Sequence, residues 1–242
     1  LKRVGSVDSL ARRLLRRVLP PHCLLCGGTG TGGRDLCAGC EQDIAINRPC
    51  CPRCALPLAA PAPICGECLQ REPPFAAAWV PFRYEHPLDL LEARFKFRGD
   101  LAAGRVLAEL MIERARIDDP SKPDCLVVVP LHAARLRQRG YNQALELARP
   151  LARAFDLRLG GKILQRSRAT AAQTGLDAIR RRRNLRGAFR VAADATLPAH
   201  VALLDDVMTT GATLRECAGV LRRAGVARVD VWALARAPQW RG

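Results

Sequence analysis

Apolar residues recur along this chain with two spacings, and the alternation between them predicts a layered α/β protein. Val201, Ala202, Leu203 and Leu204 form a short continuous apolar run, as in a parallel strand covered on both faces. DCLVVVPL at 124–131 reads as a second such strand, residues 162–166 as a third, and VARVDVWALAR at 226–236 as a further one. Val80, Phe82 and Tyr84 alternate with Trp79, Pro81 and Arg83, which predicts a half-buried strand. Between these runs the spacing lengthens to that of helices. Residues 101–117 form an amphipathic pattern ended by Asp118, Asp119 and Pro120, and a helix from Asn142 onward must kink or restart at Pro150. Leu214, Cys217 and Leu221 mark another helix, capped by Gly225. The fold class expected is a parallel sheet with helices on both faces. Near the start, Leu10, Leu14 and Val18 share one helical face and Arg12, Arg13, Arg16 and Arg17 fall mostly on another, before Pro20 and Pro21. That helix docks on its own protein or meets nucleic acid or a membrane surface.

One stretch has neither period. GGTGTGG at 27–33 and LPLAAPAP at 56–63 supply few large side chains for a core, yet the region between them and around them holds four CxxC pairs. Cys23 and Cys26 are followed after ten residues by Cys37 and Cys40, and Cys51 and Cys54 after ten by Cys65 and Cys68. Each pair forms a knuckle whose two thiolates reach one metal, so the segment predicts two structural zinc sites of four cysteines each. The repetition favours sequential pairing, with first-to-third and second-to-fourth pairing left open. Cys50 is left over. Disulfides in a secreted chain are the alternative, disfavoured by the lack of an apolar signal block. Metal here supplies folding free energy that burial does not. Cys125 and Cys217 fall in a strand and a helix, where packing is the expected role.

After Leu204 the apolar run ends in Asp205 and Asp206, followed by Thr209, Thr210, Gly211, Ala212 and Thr213 before the next helix. Successive N–H groups, a glycine allowing close approach, threonine hydroxyls and a helix N-terminus together make an anion site. Two acids beside a phosphate site select a ligand that also offers hydroxyls or a metal, as a sugar phosphate does. This string resembles the 5-phosphoribosyl-1-pyrophosphate (PRPP) motif of type I phosphoribosyltransferases. The resemblance implies that Asp205 and Asp206 address the ribose hydroxyls as the catalytic pair, and that 209–213 wrap the 5′-phosphate. It also implies Mg²⁺ bound with PRPP, loss of pyrophosphate and capture of ribose C1 by a nucleophile.

A net charge of +16 and a pI near 10.3 point to polyanionic partners. Arg135, Arg137 and Arg139 crowd a turn containing Gly140 at the exit of the second strand, where open α/β sheets bind ligands. Residues 166–190 hold eight arginines and a single acid, Asp177. Within them Arg180, Arg181, Arg182 and Arg183 suit a mobile loop over Mg-PRPP, a nucleic-acid backbone, or a solvated helix face. Aromatic residues gather between Phe75 and Phe97 ahead of a basic turn at Lys96, Arg98 and Gly99, for core packing or as a wall over a substrate that stacks bases. FKFRGD, RGYNQA and the order Gln173, Thr174, Leu176, Arg180, Arg183, Asn184 resemble the competence protein F (ComF) family. Arg135 and Arg139 are then the pyrophosphate-side contacts. After the basic N-terminal helix, taken as 1–21, the resemblance implies a double zinc ribbon-like module at 22–72 and a phosphoribosyltransferase-like domain at 73–242. It implies handling of single-stranded DNA with the DNA-uptake machinery during natural transformation. A binding module that keeps the transferase fold without turnover, or a PRPP-sensing regulator, are the other readings. No run is long enough for a transmembrane helix, and the cytoplasm is the expected location.

Overall fold

The computed structural model describes residues 20–167, 185 and 187–238. The basic stretch at 10–18 and Arg180, Arg181, Arg182 and Arg183 lie outside the described residues. Strand β7 (His200–Met208) runs through the middle of a six-stranded sheet, between β3 (Cys125–Val128) and β8 (Arg228–Arg236). Strand β4 (Arg158–Leu159) lies beyond β3, while β1 (Ala78–Trp79) and β2 (Phe82–Arg83) both pair with the other side of β8. Every pairing in this sheet is parallel.

The continuous apolar runs have a direct physical cause. Val127, Val201, Leu203, Val229 and Val231 share one core with Leu214, Cys217 and Leu221 of helix α7 (Ala212–Arg223). Leu126, Val128, Ala202, Leu204 and Leu234, their neighbours along the strands, face the other core. There they meet α3 (Leu88–Arg98), α4 (Leu101–Asp118) and α6 (Gln143–Phe155). Each Val and Leu among them contributes about 1.5–3 kcal/mol on full burial, so both strand faces are held. The expected parallel sheet with helices on both faces, preceded by a cysteine-rich module, is what the chain builds. Cys125 and Cys217 are fully buried packing residues. Among the described residues no helix is long and apolar enough to cross a membrane.

Five local expectations change. Strand β7 continues through Asp205 and Asp206 to Met208, because its backbone pairs with β8 as far as Met208 opposite Arg236 whatever the side chains. The third strand, β5 (Leu164–Arg166), leaves the main sheet and pairs antiparallel with β6 (Phe189–Val191), the edge next to β3 being taken by β4. The alternation at 79–84 yields two short strands, since Pro81 has no N–H to continue the ladder. Helix α6 passes Pro150 without a restart. The lost bond falls on its half-exposed side, while Leu147, Ala148 and Leu151 stay buried. The basic turns at 96–99 and 135–140 are helix ends: α3 and α5 (Ala133–Arg139) close on Gly99 and Gly140, both in the left-handed conformation at φ 68° and 82°.

The cysteine repeat folds as two copies of one knuckle-and-helix unit. Gly27 donates to the carbonyl of Cys23 at 2.9 Å and Ala55 to that of Cys51 at 2.7 Å. Both residues have positive φ, 76° and 55°. Cys37 and Cys65 then cap the short helices α1 (Ala38–Gln42) and α2 (Gly66–Gln70). The sulfurs gather sequentially, Cys23, Cys26, Cys37 and Cys40 in one cluster and Cys51, Cys54, Cys65 and Cys68 in the other, each set within 4.8 Å. A Zn–S distance of about 2.3 Å requires about 3.8 Å between the sulfurs of a tetrahedron. Cys26 and Cys37 Sγ are 3.7 Å apart and Cys54 and Cys65 Sγ 3.6 Å, so both sets fit zinc. Cys50 stands outside both clusters. The first cluster, through Cys23, borders the core of α3, α4 and α6, whereas all four cysteines of the second are buried in the core of α7. The two zinc centres thus seat on opposite sides of the sheet.

Candidate functional site

The carboxyl end of β7 opens into a cavity of about 480 Å³. Asp205, Asp206 and all of 209–213 line it, with Arg135 and Arg139 from α5. These expected residues come together although the chain separates them widely. The period of two along β7 turns the adjacent acids to opposite faces. Asp206 Oδ2 pairs with Lys96 Nζ of α3 at 2.9 Å, and Lys96 also reaches Glu92 Oε1 at 3.0 Å. Tyr84 Oη donates to Glu92 Oε2 at 3.2 Å. On the other face Asp205 is a neighbour of Cys217 and Arg166.

Burial and the charge of Asp206 hold Asp205 well above the ordinary carboxylate range. Burial pushes Asp206 upward too, but the Lys96 charge and hydrogen bond and the Val207 N–H, at 2.7 Å, outweigh it and keep Asp206 low. Lys96 loses charge stability to burial and regains more from Asp206 and Glu92, so it remains an ammonium. Burial pushes Glu92 up against the pull of Lys96, and pushes Tyr84 to about 12. One fixed cation thus sits among three acids of different proton affinity.

Gly211 is the N-cap of α7, with φ 70°. A Cβ there would lie 2.7 Å from Met208 Cε, so only glycine makes this turn without strain. Gly211 has no side chain to cap α7, the Thr210 hydroxyl oxygen accepts from Ala212 N at 3.4 Å, and residues 211–214 face the cavity. Such a helix start favours an anion.

The opposite wall is cationic. Arg139 Nη1 donates to Gln143 Oε1 at 2.9 Å, and its guanidinium carbon is 6.0 Å from the centroid of Phe97, which is 72% exposed. Arg166, from β5, lines the cavity and lies 5.3 Å from the Phe189 ring. Burial, then the nearby Arg135, lowers its pKa. In RGYNQA, Gly140 closes α5 and Tyr141 packs on Phe95 with centroids 5.4 Å apart. Asn142 caps α6, accepting from Ala144 N at 3.0 Å, while its Nδ2 donates to the Val129 carbonyl at 3.1 Å. That bond ties the loop to the exit of β3.

Glu92 is the supporting residue that sequence reasoning missed, while Lys96, Tyr84 and Arg166 fall in stretches it marked, the aromatic segment with its basic turn and the arginine-rich 166–190, without a role of their own. The available signal for the first two was the i,i+4 spacing of Glu92 and Lys96 within LDLLEARFKFR, an acid inside an otherwise apolar helical face.

Over 223 residues the chain is 38% identical to competence protein F of Haemophilus influenzae, a match covering 89% of this chain and 97% of that one. The chain belongs to the competence protein F family. It is also 36% identical to the DNA utilization protein YhgH of Escherichia coli (strain K12), over 90% of this chain and 98% of that protein. Competence protein ComFC of Streptococcus pneumoniae matches at 26% identity over 88% and 99%. Residues 14–69 match the double zinc ribbon domain family, in agreement with the two four-cysteine clusters. The allosteric regulatory enzyme of purine biosynthesis matches 54% of this chain and 26% of its own, at 19% identity and a TM-score of 0.37. Membership in the competence protein F family agrees with the resemblance carried by FKFRGD and RGYNQA. In this family member both strings have packing roles beside the cavity, Phe95 meeting Tyr141 and Lys96 meeting Asp206.

Proposed function

We propose that the cavity at the end of β7 binds PRPP with Mg²⁺, and that the protein acts in handling incoming single-stranded DNA during natural transformation. The observation that carries the first part is the juxtaposition of an acid pair with a glycine-started helix inside one cavity rimmed by cations. Asp205 and Asp206 address the ribose hydroxyls, 209–213 the 5′-phosphate, and Arg135 and Arg139 the pyrophosphate. When bound, Mg²⁺ neutralises pyrophosphate charge. The chain's own part is to orient the sugar and to offset charge from fixed positions, Lys96 and Arg166 included. For a ligand hydroxyl to engage Asp206 it must share or displace the ammonium of Lys96. The division into 1–21, 22–72 and 73–242 accompanies this reading, with 22–72 carrying the zinc ribbons.

Calorimetric titration with PRPP, with and without Mg²⁺, on the wild type and Asp206→Ala tests it. Saturable binding lost in Asp206→Ala is expected, and equal affinity in both removes Asp206 from the site. The relatives' names support the DNA part. Phe97, exposed at the cavity rim with Arg139 beside its ring, supports direct contact with unpaired bases, because an aromatic face stacks any base. Phe97→Ala is expected to weaken binding of an oligothymidylate by about 1–3 kcal/mol, with the salt dependence kept. Unchanged affinity removes Phe97 from that surface.

A further inference from the structure

Arg236 ends β8 and is 1% exposed. Its Nε donates to the carbonyl of Cys54 at 3.3 Å. Its Nη1 is directed to the carbonyls of Met208 and Ala237, each at 3.0 Å, and of Thr209. All these acceptors are neutral, and among the described residues no carboxylate pairs with the guanidinium. Burial lowers its pKa, and the negative groups that act against this are Cys54, Glu67 and Cys65, all in the second zinc ribbon, while Arg215 opposes them. A buried charge without a counter-charge is strongly destabilising. Zinc held by four thiolates carries a net charge of −2, and Cys54 is one of those thiolates.

We propose that Arg236 couples the second zinc centre to the anion loop: the zinc tetrathiolate supplies the counter-charge of the buried guanidinium, and the guanidinium fixes the carbonyls of Met208 and Thr209 from which the loop starts. Arg236 is therefore a positioning residue. It joins Cys54 to a loop that is distant in the chain. The metal contributes to the cavity by holding one wall of it in place. The coupling concerns the loop's order and rests on the phosphate reading only where ligand is used below.

Amide hydrogen exchange on the zinc-loaded full chain tests the coupling. Cys65→Ser, which removes one thiolate of the second cluster, is expected to raise exchange at 209–213 about tenfold. Cys37→Ser, in the first cluster, leaves that exchange unchanged, and the amides of β3 report that the sheet remains folded. Arg236→Met is expected to raise loop exchange similarly and to speed loss of one of two zinc equivalents to a chelator about tenfold. Arg236→Lys keeps the charge but does not span the carbonyls of Cys54 and Met208 together, so both changes appear to a smaller degree. By reciprocity PRPP slows zinc loss from the second cluster of the wild type. Loop exchange unchanged in Cys65→Ser with β3 protected overturns the proposal. If the Cys65→Ser and Arg236→Met chains lose β3 protection, wild-type loop exchange and zinc loss in Arg236→Lys overturn it instead. A wild type that binds no PRPP defeats the proposed function alone and leaves the exchange results to decide the coupling.

Discussion

Replacing Lys96 by methionine removes the one cation that, among the described residues, bridges Asp206 and Glu92, while nearly keeping its volume. Lys96 Nζ lies 2.9 Å from Asp206 and 3.0 Å from Glu92, and the Glu92 side chain is 1% exposed. Removing one partner of a buried pair costs about 3–5 kcal/mol because the remaining charge is left uncompensated. One pKa unit corresponds to about 1.4 kcal/mol, so a loss of that size equals a combined upward displacement of about two to four units on the two carboxyls. The sign follows from their present state. Asp206 has a folded pKa below its unfolded value, so its contribution is present at neutral pH and is lost as pH falls through the folded pKa. In Lys96→Met that depression is gone, and both acids begin to take up protons at higher pH than in the wild type, Glu92 first because burial already holds it up. The deficit of the variant relative to the wild type is therefore largest near pH 8 and shrinks toward pH 6. Urea unfolding of the zinc-loaded chain at both pH values measures it through the fluorescence of Trp232, which is 3% exposed with Trp79 at 5.2 Å. A deficit below about 1 kcal/mol, the range of an exposed pair, or one equal at both pH values, refutes the reasoning.

Gly211→Ala is expected to cost about 1–2 kcal/mol in stability, from the left-handed backbone alone, with Met208 forced aside and PRPP affinity reduced; a neutral effect in denaturation and titration contradicts the turn geometry. Metal analysis of reduced protein should return about two zinc equivalents per chain, one for each four-thiolate site. Cys51→Ser should lower the thermal midpoint more than Cys26→Ser, since Cys51 is wholly buried and Cys26 exposed. The reverse order contradicts the unequal seating of the two clusters.

Much of the site was legible because its signals are local. The spacing of each CxxC pair and the run from Val201 through Thr213 are consecutive residues whose chemistry follows from one strand end and one turn. The residues that went unrecognised act through partners far along the chain. Lys96 looked like part of a turn until α3 carried it to Asp206, and Arg236 closed a strand pattern with nothing in its neighbours to mark it. Their roles rest on electrostatics between elements, and periodicity contains no term for that.

By itself the sequence determined the buried central strands, the two sets of four cysteines and the acid pair ahead of a glycine loop, because secondary-structure period, metal-ligand spacing and turn chemistry act over a few residues. The tertiary structure alone decided that the cysteines cluster sequentially, that β5 leaves the sheet, and that Lys96 neutralises Asp206. It alone decided that Arg236 meets Cys54 across 182 residues. Burial and charge compensation depend on which elements the packed sheet brings together, and that is a property of the whole fold.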